Sequence, residues 1–440
     1  MPPSAQGLEP DGPSEDDVTR VLVFSTLFPN AAQPNHAIFV ENRLQHTLAL
    51  GGLTATVVAP VPYFPFSHSR FGRYAAYAKA PQRETRHGVE IWHPRYAAIP
   101  TLGEQLAPEL LYRASLRAVR RLQAAGQQFD VIDAHYFYPD GVAAARLGRE
   151  LGLPVVITGR GTDLTLIPAA PASRAKIQWA ASEASAMVTV CEDLRERLVE
   201  LGAAPERTLT LRNGVDLDLF RPVDRAIARR ALGVDGFTLV SVGSLIARKS
   251  HDLTIRALAE APDCRLLIAG QGPLRAELER LAEDLGVSDR VRFLGETPHS
   301  KLAELYSAAD ASVLASSREG WANVLLESLA CGTPVVASDV NGTSEVVCSR
   351  EAGRLLPERS AAAIAATVAE LRRDMPDRAA TRRYAEQFGW LPIARANKAL
   401  LEAVAHAGRA GRGSKSPVEA ARQALHLPAE SLETGHVAEV

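Results

Sequence analysis

Short unbroken runs of aliphatic residues alternate along this chain with longer segments in which apolar positions recur every third or fourth residue. Val21-Leu22-Val23-Phe24 is the first such run. A strand buried on both faces has this composition, whereas a half-exposed strand alternates. A helix-patterned segment from Phe39 to Leu50 follows, then a strand at Thr54–Val58. Further strands are predicted at Val89–Trp92, Val131–Ala134, Val155–Thr158, Met187–Val190 and Leu209–Leu211, with helices at Glu109–Gln123, Gly141–Leu151, Ser173–Ala184 and Glu192–Leu201. A second series begins after Phe220-Arg221-Pro222. Its strands are Leu239–Val242, Leu266–Ala269, Val291–Leu294, Ala311–Ala315 and Val335–Ser338, with helices at Asp252–Glu260, Leu274–Leu285, Lys301–Ala308 and Val324–Ala330 between them. Strands alternating with helices imply parallel sheets covered on both faces. The pattern predicts two doubly wound α/β domains, 18–212 and 213–385, facing a cleft at the carboxyl ends of their strands, where open α/β sheets bind ligands. A helix at 386–407 is expected to return to the first domain. Residues 1–17 read as a disordered leader and 408–440 as a mostly disordered tail.

Composition narrows the function. Lys+Arg is 49 and Asp+Glu is 51, a net of −2 over 440 residues. A protein devoted to nucleic acid needs a cationic surplus, so no nucleic-acid partner is expected. Cys191, Cys264, Cys331 and Cys348 stand far apart with no CxxC pair, which argues against a zinc site or disulfide scaffold. The acidic, Pro- and Gly-containing first residues do not resemble a secretory signal. The longest stretch without formal charge, Leu44 to Ser69, is interrupted by glycines and prolines and cannot be a spanning helix. The expected location is cytoplasmic, with at most a peripheral contact on the inner face of the plasma membrane.

The most informative segment runs from Ser316 to Val336 and contains Glu319-Gly320-Trp321-Ala322-Asn323-Val324, then Glu327. A strand ends near Ala315, a small-residue loop follows, and a helix starts near Trp321–Val324. The backbone N–H groups and dipole of such a helix start suit a diphosphate. Glu319 and Glu327 flank it, and phosphate would repel carboxylates aimed at it. They are therefore expected to face hydroxyl groups, one holding sugar hydroxyls and the other ribose. Diphosphate plus polyol is a nucleotide sugar.

This Glu-x7-Glu segment closely resembles the signature of family-4 retaining glycosyltransferases of the GT-B fold, and the resemblance extends over roughly residues 20–400. The wider pattern, from VLVFSTLFPN through YPDG and RGTDL, is similar to bacterial enzymes of exopolysaccharide and teichuronic-acid assembly. The resemblance implies that Arg248 and Lys249, after the strand ending in Gly243, bind the donor diphosphate. Two fixed cations there can neutralise a leaving nucleotide diphosphate. It places Gly270, Gly272 and Pro273 near the nucleotide base. Gly320, Trp321, Ala322, Asn323 and Val324 join the donor site, with Trp321 and Ala322 shaping the sugar pocket. Arg212-Asn213-Gly214 is read as an interdomain turn. It further implies transfer with retention, without a metal or other cofactor, Arg248, Lys249 and Glu319 being the catalytic set.

The first domain departs from the family pattern. Where many relatives carry a Gly-Gly loop, this chain has Ser25 to Asn30 followed by Asn35 and His36; where many carry His-Gly, it has Arg160-Gly161. Arg160 cannot act as a base, but can hold phosphate or sugar oxygens. Asn35, His36, His135, Arg160 and Asp163 are assigned to the acceptor side, with a glycan or lipid-linked sugar as acceptor. Residues 62–83 hold Tyr63, Phe64, Phe66, Phe71, Tyr74 and Tyr77 with Arg70, Arg73, Lys79 and Arg83 and no acidic residue. Arg113, Arg117, Arg120 and Arg121 follow at helical spacing. Aromatic plus basic surface is the composition of a contact with anionic lipid. The competing readings are a sugar-nucleotide 2-epimerase and an inactive nucleotide-sugar-binding protein; a nicotinamide dehydrogenase would need GxGxxG after the first strand, which is absent.

Overall fold

The computed structural model describes residues 18–98, 103–410 and 416–425. The expected leader, 1–17, lies outside them. Two open twisted sheets organise the chain. The first contains β1 (Thr19–Phe24), β2 (Leu53–Val58), β3 (Arg83–Arg86), β4 (Val89–Trp92), β5 (Val131–His135), β6 (Val155–Gly159), β7 (Ala186–Thr189) and β8 (Thr208–Thr210). Their order is β8-β7-β6-β5-β1-β2-β4-β3. The second contains β9 (Phe237–Val242), β10 (Cys264–Ala269), β11 (Val291–Gly295), β12 (Ala311–Leu314), β13 (Val335–Ser338) and β14 (Gly353–Leu356), in the order β11-β10-β9-β12-β13-β14. Every pairing is parallel except β3 with β4.

β3 and β14 escape the sequence pattern for different reasons. Arg83-Glu84-Thr85-Arg86 is a polar edge strand, held by its register with β4 and not by burial. Its turn, His87-Gly88, has φ of 48° and 79°, the two positive values a tight hairpin turn needs. Gly353–Leu356 is too short to show a period, and a Cβ on Gly353 would stand 1.9 Å from the Val335 carbonyl oxygen.

Chain order reverses between β1 and β5 in the first sheet and between β9 and β12 in the second. Ligand crevices form at the carboxyl ends of strands at such points. The domains are packed together as well as linked. One apolar cluster includes Phe24, Phe137 and Cys191 from the first domain and Phe220, Trp321 and Leu325 from the second.

The helix Trp390–Ala410 returns to the first domain, where Leu400, Leu401, Val404 and Ala405 share a core with Val21, Val23, Val188 and Leu209. Part of the segment expected to be disordered is folded: Pro417–Ala424 is a helix whose Val418 and Ala421 are buried in the same core. One Val and three Ala in eight residues give little pattern, and the ordering comes from the face offered by the returning helix.

Candidate active site

The second-domain crevice is shaped by glycines that close approach requires. Gly243 and Gly270 follow β9 and β10 at φ of 157° and 151°. A Cβ on Gly270 would lie 1.9 Å from the Gly243 carbonyl oxygen, so only glycine lets these two loops touch. They line a cavity of about 390 Å³ with Gln271, Thr297 and His299, to which the first domain contributes Asn35 and Ile38. Gly272 and Pro273, expected beside the base, follow Gln271 in the same loop. A Cβ on Gly272 would lie 2.3 Å from the Leu245 carbonyl oxygen, which accepts from Leu274 N–H at 3.2 Å.

Arg248 and Lys249 lie on a 3-10 turn, Ala247–Lys249, after β9. Arg248 Nη1 donates to the Arg318 carbonyl oxygen at 2.8 Å and to Glu319 Oε2 at 3.1 Å, while Lys249 Nζ donates to Glu319 Oε1 at 2.6 Å. Ser317 N–H donates to the Arg248 carbonyl oxygen at 2.8 Å, tying the loops after β9 and β12 together. Glu319, expected to turn toward hydroxyls, accepts from cations in the structure. Its carboxylate is buried, and the nearby cations claim both oxygens. Burial alone would raise its pKa; Lys249 and Arg248 outweigh that and hold the group below the usual carboxylate range.

Glu327 lies one turn into the helix Asn323–Ala330. Tyr306 Oη donates to its Oε2 at 3.1 Å, and His299 Nε2 approaches Oε1 at 3.4 Å. Burial disfavours the protonated His299 ring, but Glu327, and Asp216 behind it, raise its pKa overall. Asn323 and Glu327 also line a narrow space with Asp216 and Trp390. The Trp321 side chain is buried at the domain junction, donates from Nε1 to the Asn213 carbonyl oxygen at 3.1 Å and packs against Phe388. Ala322 is likewise buried, leading into the helix at Asn323 and Val324. Gly320 meets the first domain: a Cβ there would lie 1.9 Å from the Arg160 carbonyl oxygen.

Of the residues assigned to the acceptor, Asn35 spans the cleft, its Nδ2 donating to Glu296 Oε1 at 3.0 Å. His36 Nε2 donates to the Thr26 carbonyl oxygen at 3.3 Å, and burial lowers its pKa. The other three are turned inward. Asp163 accepts from the N–H groups of Phe137, Arg160 and Gly161, at 2.7 Å for the first and last, and so caps a loop. His135 is buried, and Arg160 is 8% exposed with both terminal nitrogens engaged inside the protein, not aimed at a ligand.

Sequence reasoning missed several groups. Thr297, His299 and Tyr306 carry no motif and are brought to the site by tertiary packing alone. Asn213 was legible only as turn chemistry. Asp140, in YPDG, is buried and pushed up to about 7 by that burial, although Thr26 donates to it through both its backbone N–H and its Oγ1.

Two facing α/β domains with paired cations and a Glu-x7-Glu pair at one switch point define a glycosyltransferase of the GT-B type. The chain belongs to the family-4 glycosyltransferases. The family description Glycosyl transferases group 1 matches residues 224–388, and Glycosyltransferase Family 4 matches residues 74–219. The chain is 32% identical over 394 residues to D-inositol 3-phosphate glycosyltransferase 1 of Catenulispora acidiphila, covering 82% of this chain and 92% of that protein. It is 34% identical over 339 residues to D-inositol 3-phosphate glycosyltransferase of Geodermatophilus obscurus, covering 70% of this chain and 74% of the relative. Among solved structures it is similar in fold to sucrose-phosphate synthase from Thermosynechococcus elongatus, with a TM-score of 0.70, 22% identity and coverage of 86% of this chain and 96% of that one. Anabaena HepE in complex with UDP gives a TM-score of 0.64 at 21% identity, covering 86% of this chain and 97% of that one.

Proposed function

We propose that this protein transfers a sugar from a nucleotide-diphosphate sugar to a hydroxyl acceptor, with retention and without a metal. The observation that carries this is the convergence of Arg248 and Lys249 on one buried carboxylate at the mouth of the second-domain crevice. An arriving diphosphate offers these cations a second anion, which leaves Glu319 able to accept from sugar hydroxyls while Glu327 faces the ribose. In the same-face route the bond from the anomeric carbon to the diphosphate oxygen breaks. The acceptor oxygen bonds to that carbon from the same side, and the acceptor proton passes to the departing phosphate. A thermal-shift panel of nucleotide sugars tests the reading, because a ligand stabilises by RT ln(1 + [L]/Kd). The expected result is a rise in Tm with one base and sugar. A flat response to all of them overturns the assignment, and binding without transfer supports an inactive binding protein.

The acceptor we favour is a glycan or lipid-linked sugar of cell-surface polysaccharide assembly, presented at the inner membrane face. Tyr63, Phe66 and Tyr74 are exposed by 62%, 54% and 45%. Phe64 and Phe71 pack beside them, and Arg70 stands over the Phe71 ring at 4.7 Å. The basic helix contributes less than its composition promised, since Arg113 and Arg120 are ion-paired with Glu109 and Glu150. No helix among the described residues is long and apolar enough to cross a membrane. The protein is expected to sediment with anionic vesicles at low salt and to be released as ionic strength rises. Failure to bind at low salt removes the membrane reading. A second reading, a phosphorylated cyclitol acceptor, is supported by the names of the relatives 32–34% identical to the chain. Transfer to a soluble inositol phosphate without lipid would favour it.

A further inference from the structure

A line of polar groups, buried except for the half-buried Asn323, crosses the domain junction. Asp133 and His135 lie on β5, Arg160 just beyond β6, Asn213 between the domains, and Asn323 opens the helix that carries Glu327. His135 Nε2 stands 3.5 Å from Asp133 Oδ2. Arg160 Nη2 is 2.8 Å from His135 Nδ1, and Arg160 Nη1 donates to Asn213 Oδ1 at 3.0 Å. Asn213 Nδ2 donates to Asn323 Oδ1 at 3.2 Å.

The chemistry of the donors fixes the direction of every bond. A guanidinium has five N–H donors and no acceptor. His135 Nδ1 must therefore be the acceptor, which puts the ring proton on Nε2, facing Asp133, and requires a neutral ring. Asn213 Oδ1 receives both Arg160 and Arg43, the latter at 3.1 Å, so its amide cannot flip and its Nδ2 is directed at Asn323. The charges around His135 act in opposite senses. Burial lowers its pKa, Asp133 raises it, and Arg160 and Arg43 lower it. The main chain makes the same crossing, because Gly320 packs on the Arg160 carbonyl oxygen and Gly161.

We infer that Arg160 is a positioning residue. Through His135 on one side and Asn213 and Asn323 on the other, it sets the closed register of the first domain against the donor helix. This goes beyond the proposed function, since it assigns no ligand contact to Arg160 and would hold for any donor and acceptor. Donor groups belong to the second domain, so the loss should appear in the alignment of acceptor with donor and not in donor affinity.

The test is a pair of variants, Arg160→Met and Arg160→Lys, assayed for kcat, donor Kd and the pH–rate profile. Arg160→Met is expected to lower kcat by about 10–100-fold, as misplacement of reacting groups by about 1 Å does, with donor Kd changed less than threefold. It also removes one of the two cations that keep His135 neutral. A limb of activity loss should then appear as pH falls, where the wild type has none in the same range. Arg160→Lys keeps the charge but cannot make both bonds. It should remove that acid limb without restoring kcat. Equal losses in donor affinity and kcat, or full kcat in Arg160→Lys, would overturn the inference. If Arg160→Met does not fold, Arg160→Lys alone decides, through its kcat against donor Kd.

Discussion

Lys249→Ala is expected to lower kcat by about 100–1000-fold, equivalent to about 2.7–4 kcal/mol of transition-state stabilisation, with Arg248→Ala close behind. Preorganised cations facing a leaving diphosphate act where charge develops, so their removal is felt in the chemical step. The structure adds a second consequence. Lys249 and Arg248 neutralise Glu319, Lys249 being the stronger influence. In the wild type the depressed folded pKa of Glu319 contributes stability above the unfolded carboxylate value of about 4.3, and this is lost as pH falls through the folded value. Without Lys249 that contribution shrinks and a buried carboxylate is left with one partner, so Tm at neutral pH should fall as well. Lys249→Ala/Glu319→Gln separates the effects: it should recover Tm while turnover stays low. Near-normal turnover in Lys249→Ala would remove the catalytic assignment.

The parts of this architecture that were legible in the sequence are those where local chemistry and burial agree. Val21 to Phe24 and Val335 to Ala337 are apolar throughout because helices cover both faces of a parallel sheet. The Arg248-Lys249 and Glu-x7-Glu segments were legible because a strand end, a small-residue loop and a helix start fall together in one run of chain. What could not be read is what depends on neighbours distant in sequence. Glu319 was expected to avoid anions and face hydroxyls, yet the cations 70 and 71 residues away claim its oxygens. Trp321 sits in a donor motif, but its indole N–H is used by Asn213, 108 residues away. Arg160 reads as a ligand group because it stands where many relatives carry His-Gly and because an Arg there can hold phosphate or sugar oxygens. It is buried because His135 and Asn213 offer acceptors that no local pattern reveals. The helix Pro417–Ala424 depends in the same way on a surface made by the returning helix.

Gly320→Ala is the second large effect, and it probes the junction without changing any charge. Gly320 has no left-handed backbone angle, so alanine costs nothing through its own conformation. The conflict is purely between domains. The new Cβ would have to stand 1.9 Å from the Arg160 carbonyl oxygen and 3.3 Å from Gly161 Cα, and the first of these is backbone that cannot swing aside. Ordinary carbon–oxygen contact needs more than 1 Å of extra separation, and the domains can provide it only by opening at the cleft. Because a misplacement of about 1 Å can cost about 100-fold in rate, kcat should fall by that order while each domain keeps its own sheet and core. Donor-induced stabilisation, which depends on Arg248, Lys249 and the second-domain loops, should persist, though weakened where Gly320 itself joins the donor site. A variant with wild-type turnover would mean that the catalytic geometry does not depend on this contact, and that the closed arrangement of Gly320 against Arg160 is not the one in which transfer occurs.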